Sequence, residues 1–154
     1  MPPQSYKVLF VCAGESARGL IAQAILNRWA GDRFQAWCAT LDATEAHPLA
    51  VELLKSNQLW NGQRTTGCER FTDSSAPVMD FVISVGEKLP EGLWNRFPDS
   101  PVKAQWRITD PAAVKGNPVL CKAAFRRSFS ELENRIRLFV LAWESSFRSR
   151  TLAA

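Results

Sequence analysis

Cys12 and Arg18 stand with five residues between them in the segment Cys12-Ala13-Gly14-Glu15-Ser16-Ala17-Arg18-Gly19. A thiol and a guanidinium at this spacing can meet around one bound anion if the chain between them curls. The unpaired N–H groups of such a loop, and of the first turn of a following helix, converge on one point, and the helix dipole adds partial positive charge there. Arg18 offers a planar, two-pronged fork that matches a tetrahedral oxyanion. The same field favours the Cys12 thiolate and makes it a nucleophile toward the bound ion. Ala13, Gly14, Glu15, Ser16, Ala17 and Arg18 are therefore the expected cradle for an anion the size of phosphate or arsenate. The spacing alone is a weak signal, and a buried, inert cysteine at a strand end is the plain alternative.

Displacing an oxygen from phosphorus or arsenic is faster when an acid protonates it. Asp110 is the leading candidate, because it follows the last apolar strand and should reach the same sheet edge as Cys12. Pro111 would stiffen that loop. Asp-Pro is also an ordinary turn former, which is the competing reading.

The elements that must position these residues follow from patterning. Lys7–Cys12 is a continuous apolar run, the mark of a strand buried on both faces. Gly14 breaks it, and from Ala17 to Trp29 the apolar residues Leu20, Ile21, Ala24, Ile25 and Trp29 fall near one helical face. Phe34–Ala39 reads as a second strand, and His47-Pro48 opens a helix to about Asn57. Leu59 to Pro77 is irregular, with room for one short helical turn. Val78–Val85 is a third strand and Val102–Trp106 a fourth, separated by a connection with three prolines. A long helix from about Val119 to Phe147 carries Phe125, Phe129, Leu132, Ile136, Phe139 and Trp143 on a core-facing stripe. Strands alternating with helices imply an α/β domain with a four-stranded parallel sheet flanked by helices on both sides. Ligands of such sheets bind beyond the carboxyl ends of the strands, where strand order reverses. Cys12 ends the first strand. The expected domain is one unit over 1–154, with its core at 6–147 and 148–154 as a tail.

Composition fits a globular domain: 154 residues, 46% hydrophobic and 22% charged, with nine Phe and six Trp. A net charge of +4 would favour anionic substrates. The loose cluster Arg126, Arg127, Arg135, Arg137, Arg148 and Arg150 reads as a solvated helix face rather than a nucleic-acid footprint. The four cysteines form no C-x-x-C and no zinc-like pairing with the lone His47, so neither a metal site nor a disulfide framework is expected. No segment is apolar enough for a bilayer, and the chain reads as cytoplasmic with reduced thiols. Nothing in the sequence speaks to oligomeric state.

Taken in order, these motifs resemble those of the low-molecular-weight protein tyrosine phosphatase superfamily, and within it the bacterial arsenate reductases built on that fold. The Cys12 loop is similar to the family's Val-Cys-x-Gly-Asn-Ser-Ala-Arg-Ser. His47-Pro-Leu-Ala-Val-Glu-Leu-Leu resembles its second helix, Asp80-Phe-Val-Ile-Ser-Val its third strand, and Trp106 with Asp110-Pro-Ala-Ala-Val its acid loop. The resemblance covers nearly the whole chain. It implies Cys12 as nucleophile, Arg18 as oxyanion ligand and Asp110 as general acid, with no bound cofactor. Trp94, Phe97 and Trp106 are the aromatic candidates for lining a substrate, with core packing as their alternative.

Three departures bear on activity. Glu15 stands where the family has Asn; a carboxylate accepts but cannot donate, and if turned inward it would repel the anion. Gly19 stands where the family has the Ser or Thr that hydrogen-bonds the thiolate. Thioredoxin-coupled reductases carry two further cysteines after the third strand, and the matching positions here are Gly86 and Trp94. The expected function is arsenate reduction completed by an external thiol (glutathione, with or without glutaredoxin, or thioredoxin). Phosphomonoester hydrolysis, as of phosphotyrosine, through a phosphocysteine is one alternative. A catalytically decayed binder of an oxyanion or partner is the other. Cys68 and Cys121 are remaining candidates for a resolving thiol and are otherwise free cysteines.

Overall fold

Cys12 stands at the carboxyl end of the innermost strand of a parallel sheet. The computed structural model describes residues 5–12, 17–41, 45–86 and 88–153, with side chains as far as residue 146. The elements are β1 (Tyr6–Cys12), α1 (Arg18–Ala30), β2 (Phe34–Thr40), α2 (Pro48–Ser56), β3 (Thr66–Gly67), β4 (Phe81–Val85), α3 (Glu91–Trp94), β5 (Val102–Trp106) and α4 (Pro118–Ala153). Single 3-10 turns occupy Cys68–Phe71 and Pro111–Ala113. The sheet order is β3-β2-β1-β4-β5, with every pairing parallel. The chain moves outward from β1 through β2 to β3, then returns to the other side of β1 for β4 and β5. Strand order therefore reverses at β1, and a crevice for ligands is expected beyond its carboxyl end.

The fold class agrees with the sequence reading, with five strands in place of four. The extra strand is β3, whose two residues pair with Ala39 and Thr40; a strand this short has no alternation to read. The outer edge of β2 that β3 leaves bare is met by Asn27 of α1. Its side chain accepts from Ala36 N–H at 2.9 Å and donates to Ala36 C=O at 3.2 Å, in the manner of a neighbouring strand. α4 runs past the expected Phe147 boundary to Ala153.

The two faces of the sheet are covered unequally. Val8, Phe10, Cys12, Phe34, Ala36, Cys38, Phe81, Ile83 and Trp106 face α1, α2 and α4 in the larger core. Leu9, Val11, Ala39 and Val82 face the other way, under the Cys68–Phe71 turn, the α3 segment and Phe97. Helices on both sides were expected, and three of the four α-helices share one face. As a result α1 is buried nearly all round. Leu20, Ile21, Ile25 and Leu26 are fully enclosed, each contributing about 1.5–3 kcal/mol of apolar burial. This fixes the start of α1 firmly against β1 and β2. Among the described residues, no helix is long and apolar enough to cross a membrane.

Candidate functional site

The Cys12 thiol sits between the end of β1 and the first turn of α1, 1% exposed. Ala17, the residue before that helix, supplies no side-chain cap, and the leading N–H groups of a helix lack intrahelical partners. One of them, Gly19 N–H, donates to the Cys12 sulfur. A second neighbour is Cys38 of β2, which pairs with Phe10 and points to the same face of the sheet as Cys12. A Cβ added at Gly19 would lie 2.5 Å from the Cys38 sulfur and 3.1 Å from the Cys12 sulfur. The two sulfurs thus close on one point that only a glycine leaves empty. The hydrogen bond from Cys38 is the largest influence lowering the Cys12 pKa; burial opposes it, and Gly19 N–H and the Arg18 charge assist. Cys38 moves in the opposite direction, held well above the ordinary thiol value by that shared bond and by burial. Cys12 is the more acidic thiol of the pair.

Arg18 opens α1 and is 4% exposed. Its Nη1 donates to Ile108 C=O at 2.9 Å, tying the start of α1 to the segment after β5. The guanidinium also lies against Gly86, just beyond β4, where an added Cβ would overlap it. Gly86 has φ +127° and is buried, and its N–H donates to Trp106 C=O at 2.8 Å. Glycine at 86 is thus a condition for the position of Arg18.

Asp110 caps the turn Pro111–Ala113, its Oδ1 accepting from Ala112 N–H at 3.0 Å. Its plain structural role is real, and so is its proximity to the thiol: the Asp110 charge pushes the Cys12 pKa up, against the Arg18 charge that pulls it down. The preceding residue is held from α4, where buried Ser128 donates to Thr109 C=O at 3.1 Å. Arg18, Gly86, Lys88, Gln105, Arg107 and Asp110 line one open cleft of about 430 Å³. Three of these six are cations, suited to an anion.

Of the residues expected together from the sequence, Arg18 and Asp110 line this cleft, and the charges of both act on the buried Cys12. Ala13, Gly14, Glu15 and Ser16 lie outside the described residues; Ala17 is buried immediately before α1. The aromatic candidates are placed otherwise. Trp106 is 7% exposed and packs in the core, with its ring 5.8 Å from Phe10 and 6.0 Å from Phe139. Phe97 is core on the opposite face, and Trp94 packs half-buried beside it. Cys68 is buried with its pKa pushed up to about 11, first by burial. Cys121 donates to Val114 C=O at 3.0 Å at the start of α4. All four cysteines are free thiols. Sequence reasoning missed Cys38. The available signal was the period of two along Phe34, Ala36 and Cys38, which sets Cys38 on the Phe10 and Cys12 face once β1 and β2 pair.

No family model matches the chain. An arsenate reductase of Halalkalibacterium halodurans is 24% identical over 132 residues, spanning 86% of this chain and 93% of its own. Among solved structures, a low-molecular-weight protein tyrosine phosphatase from T. tengcongensis matches with a TM-score of 0.69 at 19% identity, covering 90% of this chain and 99% of its own. An arsenate reductase in a phosphate-binding state matches with a TM-score of 0.61 at 21% identity, covering 86% of this chain and 97% of its own.

Proposed function

We propose that this chain, which has the fold shared by low-molecular-weight protein tyrosine phosphatases and arsenate reductases, uses the Cys12 thiolate to attack a tetrahedral oxyanion, and that its reaction is arsenate reduction completed by an external thiol. One observation carries the reading. A thiol with a lowered pKa ends the strand where sheet order reverses, and Arg18 and Asp110 share one cleft beside it. Lowered pKa, adjacent guanidinium and nearby carboxyl are what nucleophilic displacement at arsenic or phosphorus requires.

In the proposed cycle Arg18 and the residues 13–17 hold the arsenate, and the Cys12 sulfur bonds to arsenic. One arsenate hydroxyl leaves as water on a proton from Asp110, and its As–O bond breaks as the S–As bond forms. An external thiolate then attacks the Cys12 sulfur; the S–As bonding pair departs with arsenic, which leaves reduced as arsenite. The mixed disulfide that remains is opened by a second thiol, restoring Cys12. An external thiol is the reading these positions favour: a Cβ at Gly86 would overlap the Arg18 guanidinium, burial pushes the Cys68 pKa up to about 11, and Cys121 is held at the start of α4 by Val114 C=O.

Phosphomonoester hydrolysis is the second reading, and Gly86 favours it: a phosphocysteine is opened by water and needs no relay thiol. Arsenate-dependent oxidation of glutathione or thioredoxin, measured beside hydrolysis of an aryl phosphate in wild type and Cys12→Ser, separates the two. Cys12-dependent thiol oxidation supports the reductase, and Cys12-dependent phosphate release supports the phosphatase. Oxyanion binding without turnover in either assay would leave a decayed binder and overturn both.

A further inference from the structure

The two sulfurs that meet above Gly19 are the feature the proposed cycle does not use. We propose that Cys38 is a positioning residue for Cys12: its thiol, seated where a side chain at position 19 would stand, donates a hydrogen bond to the Cys12 thiolate. The inference rests on the nucleophilic reading of Cys12 and assigns the source of that thiolate's stability.

Geometry supports the assignment before any charge is considered. A Cβ at Gly19 would stand 2.5 Å from one sulfur and 3.1 Å from the other. A side chain at 19 and the thiol at 38 are therefore alternative occupants of one place. Cys38 is 2% exposed, so no bulk water competes for the bond. Among the described residues, the charged or titratable groups bearing on Cys12 are Cys38 from β2, Arg18 from α1, Asp110 from the turn after β5, and Cys68, whose own pKa the Cys12 charge raises. Of these only the two thiols contend for one proton. The shared hydrogen bond, and then burial, raise the Cys38 pKa, while Gly19 N–H and Arg18 favour the anion on Cys12. A thiol is a weaker donor than a hydroxyl, but here it is enclosed and has one acceptor.

The alternative use of such a pair, a disulfide relay, fits the strand register less well. Cys12 pairs with Thr40 and Cys38 with Phe10, so the cysteines are diagonal neighbours, two residues apart along adjacent strands. Strand spacing and rise put their Cα atoms about 8 Å apart, beyond the roughly 7 Å at which a disulfide closes without backbone movement.

The test is the pH dependence of Cys12 alkylation by iodoacetamide, followed by mass spectrometry in the full chain. Cys38→Ala should raise the midpoint by about one pH unit, a tenfold loss of thiolate below it. Cys38→Ser, which keeps a donor, should restore most of the shift. Gly19→Ser should be tolerated only with Cys38→Ala, and that double variant should also recover the low midpoint, filling the vacated space even if Cys38→Ala folds poorly alone. A Cys38→Ala midpoint equal to wild type, or a double variant no better than Cys38→Ala, overturns the proposal. A low wild-type midpoint with the expected variant series, but no turnover of arsenate or aryl phosphate, would sink the proposed function and leave the Cys38 donor standing. A wild-type midpoint in the ordinary thiol range would sink both.

Discussion

The Arg18 guanidinium occupies the ground that a side chain at position 86 would need. A Cβ built on Gly86 overlaps it, and φ +127° there is a conformation L residues rarely adopt. The position of the Arg18 guanidinium and the absence of a cysteine at 86 are therefore linked.

Gly86→Ala should cost roughly 1–3 kcal/mol through backbone strain alone, several degrees of melting temperature for a domain of this size. It should also push Arg18 out of the cleft. Thermal melting with and without phosphate measures both effects: a lower melting temperature and a smaller phosphate-induced rise. Gly86→Cys should behave the same way and install no relay. A stable Gly86→Cys that gains thioredoxin-dependent turnover would contradict the packing.

Phosphate, sulfate or arsenate should raise the melting temperature of wild type, since a ligand bound only by the folded state stabilises it by linkage. Arg18→Ala should remove that rise. Arg18→Lys should not restore it, because an ammonium lacks the fork that can hold Ile108 C=O and an oxyanion at once. Retention of the rise in Arg18→Ala would put the anion elsewhere.

Much of this site was legible before any coordinates. The apolar run ending at Cys12, the helix beginning near Arg18 and the loop carrying Asp110 are each local patterns, and a parallel sheet brings their ends to one edge. What was not legible depends on contacts between elements. Cys38 is one more apolar-side residue of β2 until the register sets it diagonal to Cys12, and Gly19 looks like a lost donor until Cys38 fills its space. For Trp106 the sequence leaves substrate lining and core packing open; its packing against Phe10 and Phe139 is a contact between elements. β3 has two residues and no pattern to find.

The thiols should separate by pH. Cys12 should alkylate faster than the other three near neutrality, because its pKa is lowered while those of Cys38 and Cys68 are raised. Equal rates at all four would contradict the lowered value.

Stability should follow the same signs. Cys12 binds fewer protons folded than unfolded, so its contribution is full above the unfolded thiol pKa of about 8.5 and is lost as pH falls through the folded value. Cys68 runs the other way. Unfolded, it loses its proton near about pH 8.5; folded, it keeps it until about 11, so stability falls as pH rises across that window. Melting temperature should decline across this alkaline range, and less steeply in Cys68→Ser. An identical slope in both proteins would show that Cys68 does not titrate there.

Asp110 carries two jobs that one substitution can separate. Its Oδ1 caps the Pro111–Ala113 turn by accepting from Ala112 N–H, and its carboxyl is the proposed proton donor. Asn at this position keeps an oxygen for the cap but has no acidic proton. Asp110→Asn should therefore melt within about 1 kcal/mol of wild type while losing turnover. With aryl phosphates the loss should be 10²-fold or more for poor leaving groups, which need the proton, and small for good ones. Oxyanion binding should persist or tighten, because an anionic carboxylate lining the cleft is replaced by a neutral amide. Equal losses for both classes of leaving group would remove Asp110 as the acid and leave it only the turn.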